Sequence, residues 1–187
     1  MAEKIVEDPA LRIRYGFDRV PGRDGAEVLQ VRCWVQPGAG VPPHVHPGLT
    51  ETFEVLEGEV TFLAGKGERA ATAGETVVVA PGVRHRFRNA TGAVVSFTTA
   101  VQPAHPDLQN FLEDSAAVGR AGGYTKRAIP RSPSAALRLA VMGHAYRETT
   151  LLDLPVPGVQ RYLIPALARL GERRGYRARH FAEDLGV

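Results

Sequence analysis

The sequence predicts a mainly β protein, with a small antiparallel β-barrel over residues 1–102, N-terminal strands included, and an α-helical extension over residues 103–187. Three observations lead there. From Leu11 to Val101 the chain reads as short strand-like runs separated by Gly, Pro and Asn clusters, the rhythm of a sandwich or barrel. After Gln102-Pro103 the breakers thin out and apolar residues recur three and four apart, which is the helical period. Apolar types make up 44% of 187 residues, enough to bury one proper core, so one domain with an appendage is simpler than two equal domains.

The predicted strands are Leu11–Phe17, Glu27–Gln36, His44–His46, Glu51–Leu63, Glu68–Ala71, Thr76–Ala80, Arg84–Asn89 and Ala93–Val101. Turn formers punctuate them: Pro21 to Gly25, Pro37 to Gly40, Glu57-Gly58, Gly65 to Gly67, Pro81-Gly82 and Asn89 to Gly92. Closure into a barrel follows because it removes exposed sheet edges. Three helices are expected beyond. One starts at Pro106-Asp107 and buries Leu108, Phe111, Leu112 and Ala116. Ser134 is the expected N-cap of a second, running through Leu137, Leu139, Val141 and Met142. The third runs from Val159 through Tyr162, Leu163, Leu167 and Leu170 to Gly171, with Pro165 expected to kink it. Loops are expected at Gly119–Pro133 and at Thr149–Gly158, and a helix or the first of these loops is expected to cap the barrel mouth and exclude water.

Composition narrows the function classes. Twenty Arg and three Lys against 20 acids leave a formal charge of only +3, too small a surplus for a nucleic-acid binder that must neutralise many phosphates. Arg84, Arg86 and Arg88 alternate along one strand, and Arg169, Arg173, Arg174, Arg177 and Arg179 cluster near the end; both sets read as solvated faces. Cys33 is the single cysteine, which excludes an internal disulfide, and its place in a strand pattern makes it a small buried hydrophobe. The charged start of the chain reads as no secretory signal, and no window is long and apolar enough to span a bilayer, so a soluble cytoplasmic protein is the expectation.

The chemistry concentrates in two stretches. In a strand, side chains alternate faces, so His44 and His46 point one way with Val45 opposite. The turn Pro47 to Thr50 then lets Glu51 enter the next strand beside them, with Glu51, Phe53 and Val55 on one face. Further on, His85 and Phe87 share a face while Arg84, Arg86 and Arg88 take the other. Two histidines on a strand are by themselves more often polar surface than ligands. The conjunction with a carboxylate and a third imidazole changes that, because mixed nitrogen and oxygen donors suit Fe, Mn, Ni, Co, Cu or Zn. His105, His144 and His180 lie outside the pattern and read as structural or solvated.

At these residues the sequence resembles the cupin superfamily. The first motif of that family, G-x5-H-x-H-x3-4-E-x6-G, is met at every spacing by Gly38, His44, His46, Glu51 and Gly58. The second, G-x5-P-x-G-x2-H-x3-N, is met by Gly74, Gly82, His85 and Asn89, with one departure: Ala80 stands at the usual proline and Pro81 follows it. The resemblance covers about Val31 to Val101. It implies a double-stranded β-helix, or jelly-roll barrel, holding one divalent transition metal on His44, His46, Glu51 and His85.

Function is then expected at that metal. The leading expectation is an oxidoreductase resembling the quercetinase-like dioxygenases, acting on a small aromatic or enolic substrate held by Phe53, Val55 and Phe87, with Glu51 as ligand and proton acceptor. Two alternatives are a non-oxidative cyclase, isomerase or decarboxylase that uses the metal as Lewis acid, and a binding or sensing module without catalysis. A homodimer is expected, since the apolar faces of the helices need a barrel flank or a second subunit to cover them. No nucleic-acid or membrane partner is expected.

Overall fold

The computed structural model describes residues 4–22, 25–153 and 159–187. Its first ten strands are β1 (Lys4–Asp8), β2 (Ile13–Pro21), β3 (Glu27–Val35), β4 (His44–Val45), β5 (Thr50–Glu57), β6 (Glu59–Ala64), β7 (Gly67–Thr72), β8 (Thr76–Val79), β9 (His85–Arg88) and β10 (Val95–Gln102). The extension adds α1 (Pro106–Arg120), α2 (Pro133–Ala145), β11 (Leu151–Leu152), a π-helical turn (Val159–Leu163), α3 (Ile164–Arg173) and α4 (Phe181–Leu185). Two antiparallel sheets face one another in the order β1-β2-β3-β10-β5-β8 and β11-β4-β9-β6-β7. This is the predicted double-stranded β-helix with C-terminal helices.

Alternation decides the interior. Along β5 the inward residues Glu51, Phe53 and Val55 are buried while Glu54 and Leu56 are exposed. Phe53, Phe62, Phe87 and Phe97 meet between the sheets, with ring centroids 4.8 Å apart for Phe87 and Phe97 and 5.0 Å for Phe53 and Phe62. Tilted and edge-on contacts of this kind suit the aromatic quadrupole and fill the barrel beyond the ligand strands. The predicted strand Glu51–Leu63 divides at Gly58, so that β5 and β6 lie in different sheets. Gly58 has φ 80, and a Cβ there would come within 2.7 Å of Val95 Cγ1, so the crossover requires glycine.

The extension differs from expectation in three places. Ser132, not Ser134, caps α2, accepting from the Ala135 amide at 3.1 Å, because Pro133 fits the first helical position and fixes the start. Pro165 falls in the first turn of α3, where its missing N–H costs nothing, so it follows the π-helical turn instead of kinking a longer helix. Leu163 and Leu170, expected to need a barrel flank or a second subunit to cover them, are 48% and 41% exposed, so the barrel does not supply that cover. Within the predicted loop Thr149–Gly158, Leu151–Leu152 form β11 and pair with β4, so the extension contributes a strand to the barrel; residues 154–158 of that loop lie outside the described residues, as do Arg23 and Asp24 of the turn at Pro21.

Two buried carboxylates fasten the extension. Asp8, fully buried at the end of β1, accepts from the amides of Ala10 and Leu11 at 3.0 Å and from the Tyr124 hydroxyl. Asp114 on α1 accepts from the Tyr146 hydroxyl at 2.7 Å and from the Arg179 amide at 2.8 Å, joining α1 to the end of α2 and to the segment before α4. No described helix is long and apolar enough to cross a membrane.

Candidate metal centre

The three histidines and the glutamate arrive from three strands. His44 opens β4 and His46 follows it, Glu51 is on β5 in the opposite sheet, and His85 opens β9 directly across from His44. The turn leading to His85 absorbs the Ala80-Pro81 departure. The Val83 amide donates to the Ala80 carbonyl at 3.2 Å, with Pro81 second and Gly82, at φ 76, third. That is the pattern of a type II turn, which favours proline second and a positive-φ residue third. The Gly82 amide also donates to the His46 carbonyl at 2.9 Å, so the same turn ties the two histidine strands together.

Donor atoms of His44, His46, Glu51 and His85 all lie within 4.8 Å of one another. Each imidazole is committed through Nδ1 to a main-chain carbonyl: His44 to Pro42 at 3.0 Å, His46 to Thr149 at 2.5 Å and His85 to Val83 at 2.8 Å. A ring that donates from Nδ1 presents an Nε2 lone pair, the form that ligates a metal, and such carbonyl contacts fix ring orientation. Glu51 Oε2 lies 2.7 Å from His85 Nε2 and 3.5 Å from His46 Nε2. Yet neither Glu51 Oε2 nor His85 Nε2 has a well-directed hydrogen bond, and both are buried. A cation between them satisfies both atoms at once, so the donor set fits a divalent transition metal.

Electrostatics agree with that fit. Burial, followed by the charges of His85 and His46, pushes His44 down to about 3, so it stays neutral. Burial alone would raise the Glu51 carboxyl, but the contact with His85 and the neighbouring His46 and His44 outweigh it and hold Glu51 below its ordinary range, as a carboxylate. Burial opposes charge on His85 as well, and Glu51 outweighs it there, raising His85. Burial first, then the Glu51 charge, pushes the Cys33 thiol well up, so it is an inert neutral wall residue, not a nucleophile.

The quartet opens on a cavity of about 310 Å³, with His44, His46 and Glu51 in its wall. Phe53 and Phe87 line it as expected, but Val55 does not. Parity puts Val55 on the inner face correctly, and its register with Phe97 leaves it in the packed aromatic core beyond the cavity end. Sequence reasoning also missed wall residues contributed by the extension, among them Phe111, Leu112, Leu139 and Tyr124. The helical spacing of Phe111, Leu112 and Leu139 signalled burial but not against what, and Tyr124 falls in the predicted loop Gly119–Pro133. The Thr149 carbonyl, 103 residues from the ring it holds, left no trace in the sequence. The arginines are peripheral: Arg84 pairs with Asp153 at 2.6 Å, Arg88 with Glu68 at 3.0 Å, and Arg179 with Asp107. His105, outside the site, caps α1 by accepting from the Asp107 amide at 3.2 Å.

Residues 31–101 match the family model described as the cupin domain. A germin-like protein of Ipomoea nil is 30% identical over 94 residues, a match covering 48% of this chain and 44% of that protein, so the chain spans less than half the length of this relative. Among solved structures, an RmlC-like cupin from Shewanella frigidimarina aligns over 57% of this chain and 88% of its own, with 24% identity and a TM-score of 0.47. A conserved double-stranded β-helix protein from Klebsiella pneumoniae aligns over 48% and 75%, with 24% identity and a TM-score of 0.41.

Proposed function

Since this chain belongs to the cupin superfamily through residues 31–101, we propose that it is a metal-dependent enzyme acting on a small aromatic or enolic substrate, with oxidation by dioxygen as its reaction class. One observation carries the reading: His44, His46 and Glu51, with His85 behind them, converge at a cavity whose walls are mainly apolar and which the helices cover. A bound divalent ion supplies electrophilic activation of a substrate oxygen and, if redox-active, electron exchange with dioxygen.

The chain's own residues do the rest. His44, His46 and His85 hold their Nε2 lone pairs inward because Pro42, Thr149 and Val83 occupy the opposite nitrogens. Glu51, ionised and buried, is in the form that accepts a proton from an enol or phenol hydroxyl. Phe53 and Phe87 offer ring faces to a planar substrate. Residues of α1 and α2 exclude bulk water from the same space, which strengthens every polar contact inside it. A homodimer belongs to the same reading, supported by the exposed Tyr162, Leu163 and Leu170 on one stretch of the extension. Its check is a solution mass twice that of the 20.2 kDa chain.

The test is elemental analysis of the purified protein beside His46→Ala, followed by oxygen-electrode measurements with flavonols and catechols. We expect stoichiometric iron, nickel or copper, its loss in the variant, and oxygen uptake by the wild type alone. Stoichiometric zinc with no oxygen uptake would replace oxidation by Lewis-acid chemistry. No metal in either protein would remove the enzymatic reading altogether.

A further inference from the structure

The helical extension contributes as much of the cavity as the barrel does. The barrel's part of the wall crosses neighbouring strands from Tyr15 on β2, through Val31 on β3 and Thr99 on β10, to Phe53 on β5. Three strand spacings give a width of about 14 Å. Opposite this wall stand residues of α1, α2 and α3, including Leu112, Ala136, Leu139 and Leu167, none of them fully buried, as expected of side chains facing an unfilled space.

The chemistry of the wall is selective. Among its described residues there is no Lys, Arg or Asp, and Glu51 is the sole carboxylate. Away from the quartet an anionic group would therefore find no counter-charge along the wall, and burying an unpaired charge is costly. Most of the polar groups that reach the wall, the Tyr15 and Thr99 hydroxyls apart, are already engaged within the protein. Tyr124 donates to Asp8, Ser115 meets Tyr124 at 2.9 Å, Thr150 lies 3.4 Å from His46 Nδ1, and Gln160 donates to the Leu152 carbonyl. What this space offers a ligand is mainly apolar contact.

We infer that the extension is the substrate-reading half of the site, and that with the barrel it encloses an uncharged, elongated, predominantly apolar molecule whose oxygen-bearing end faces His44, His46 and Glu51. The orientation rests on the metal-centre reading, whereas occupancy of the apolar space does not. Residues of the extension that face the cavity then set which molecules fit, while the barrel carries the chemistry.

The probe is N-phenyl-1-naphthylamine, a neutral apolar fluorophore, titrated into chelator-treated full-length protein. We expect saturable enhancement with one site per chain. Its Kd should rise at least tenfold in Leu112→Arg, which places a charge in the wall, and in Ala136→Trp, which fills the space. Glu172→Arg, on the exposed side of α3 and away from both the cavity and the exposed apolar stretch, should leave it unchanged. 1-Dodecanol should displace the probe at least tenfold more effectively than dodecanoate of the same length. A folded protein, checked by circular dichroism, that shows no saturable enhancement overturns the inference. So does indifference to both wall variants, or equal competition by alcohol and carboxylate. His46→Ala separates the two readings: it should lose metal and keep the probe. A protein with stoichiometric metal that binds no probe loses this inference alone, and one that binds probe but never metal loses only the reading of the quartet.

Discussion

The barrel and the helical extension enclose one cavity but are held together by different physics. The barrel interior is apolar and interlocked, with Phe97 and Val55 nearly inaccessible and four phenylalanine rings in mutual contact. The extension reaches that barrel through the buried carboxylate of Asp8, fixed by the Tyr124 hydroxyl and by main-chain amides, and a second buried carboxylate, Asp114, ties the helices to one another. Apolar packing falls off gradually as atoms are removed, whereas a buried carboxylate left without its donors is penalised at once. An apolar seal across the whole interface would have filled the cavity. Polar anchors at its edge hold the helices in place and leave the middle open.

That contrast can be broken first on the barrel side. Phe97→Ala removes the ring that touches Phe53, Phe62 and Phe87, and should cost about 3–5 kcal/mol in urea unfolding, the largest single loss expected here. A loss below about 1 kcal/mol would mean that the rings are not a close-packed core.

The anchors come next. Asp8→Ala strips the acceptor from two amides and from Tyr124, with an expected cost of about 3 kcal/mol. Burial raises the Asp8 carboxyl above its ordinary value of 3.8, and the bonds from Tyr124, Leu11 and Ala10 only partly offset this. A raised carboxyl binds more protons folded than unfolded, so its contribution is fully present below 3.8 and is lost as pH rises through the folded-state value. Relative to Asp8→Asn, which does not titrate, the wild type should therefore gain stability as pH falls from 7 towards 4. Parallel pH profiles of the two proteins would show that Asp8 is already ionised at no cost.

The same contrast explains what could be read from the sequence. Strand alternation fixes which side of the barrel a residue faces, so His44 with His46, and Phe53 and Phe87, were legible by parity, while Glu51 and His85 joined them through the paired motifs. It does not fix depth, so Val55 was assigned to a cavity that ends before reaching it. β1 escaped notice because Lys4–Asp8 has charged ends, and its role becomes visible only when Asp8 meets Tyr124 116 residues later. β11 has two residues, too short for any period to register. Helices were found by their spacing, and their starts depended on local chemistry, as Ser132 with Pro133 shows. Their cavity-facing role depends on a partner surface that no spacing encodes.

The smallest expected effect tests whether the extension's latch on the barrel is polar at the surface as well. Arg84, just before His85, pairs with Asp153, just after β11, at 2.6 Å, with the two side chains 42% and 41% exposed. The Asp153 amide donates to the Pro43 carbonyl at 2.9 Å in the same corner. Exposed pairs contribute little because water screens them and two side chains must be ordered, so a double-mutant cycle with Arg84→Ala and Asp153→Ala should return a coupling of about 0.5 kcal/mol or less. The amide contact and the β11–β4 pairing survive both substitutions, so His46 should keep its carbonyl partner at Thr149 and metal content should not change. A coupling above about 2 kcal/mol, or metal lost with the ion pair, would show that the ligand strand is held from outside the barrel and would dissolve the distinction between a surface latch and the buried anchors.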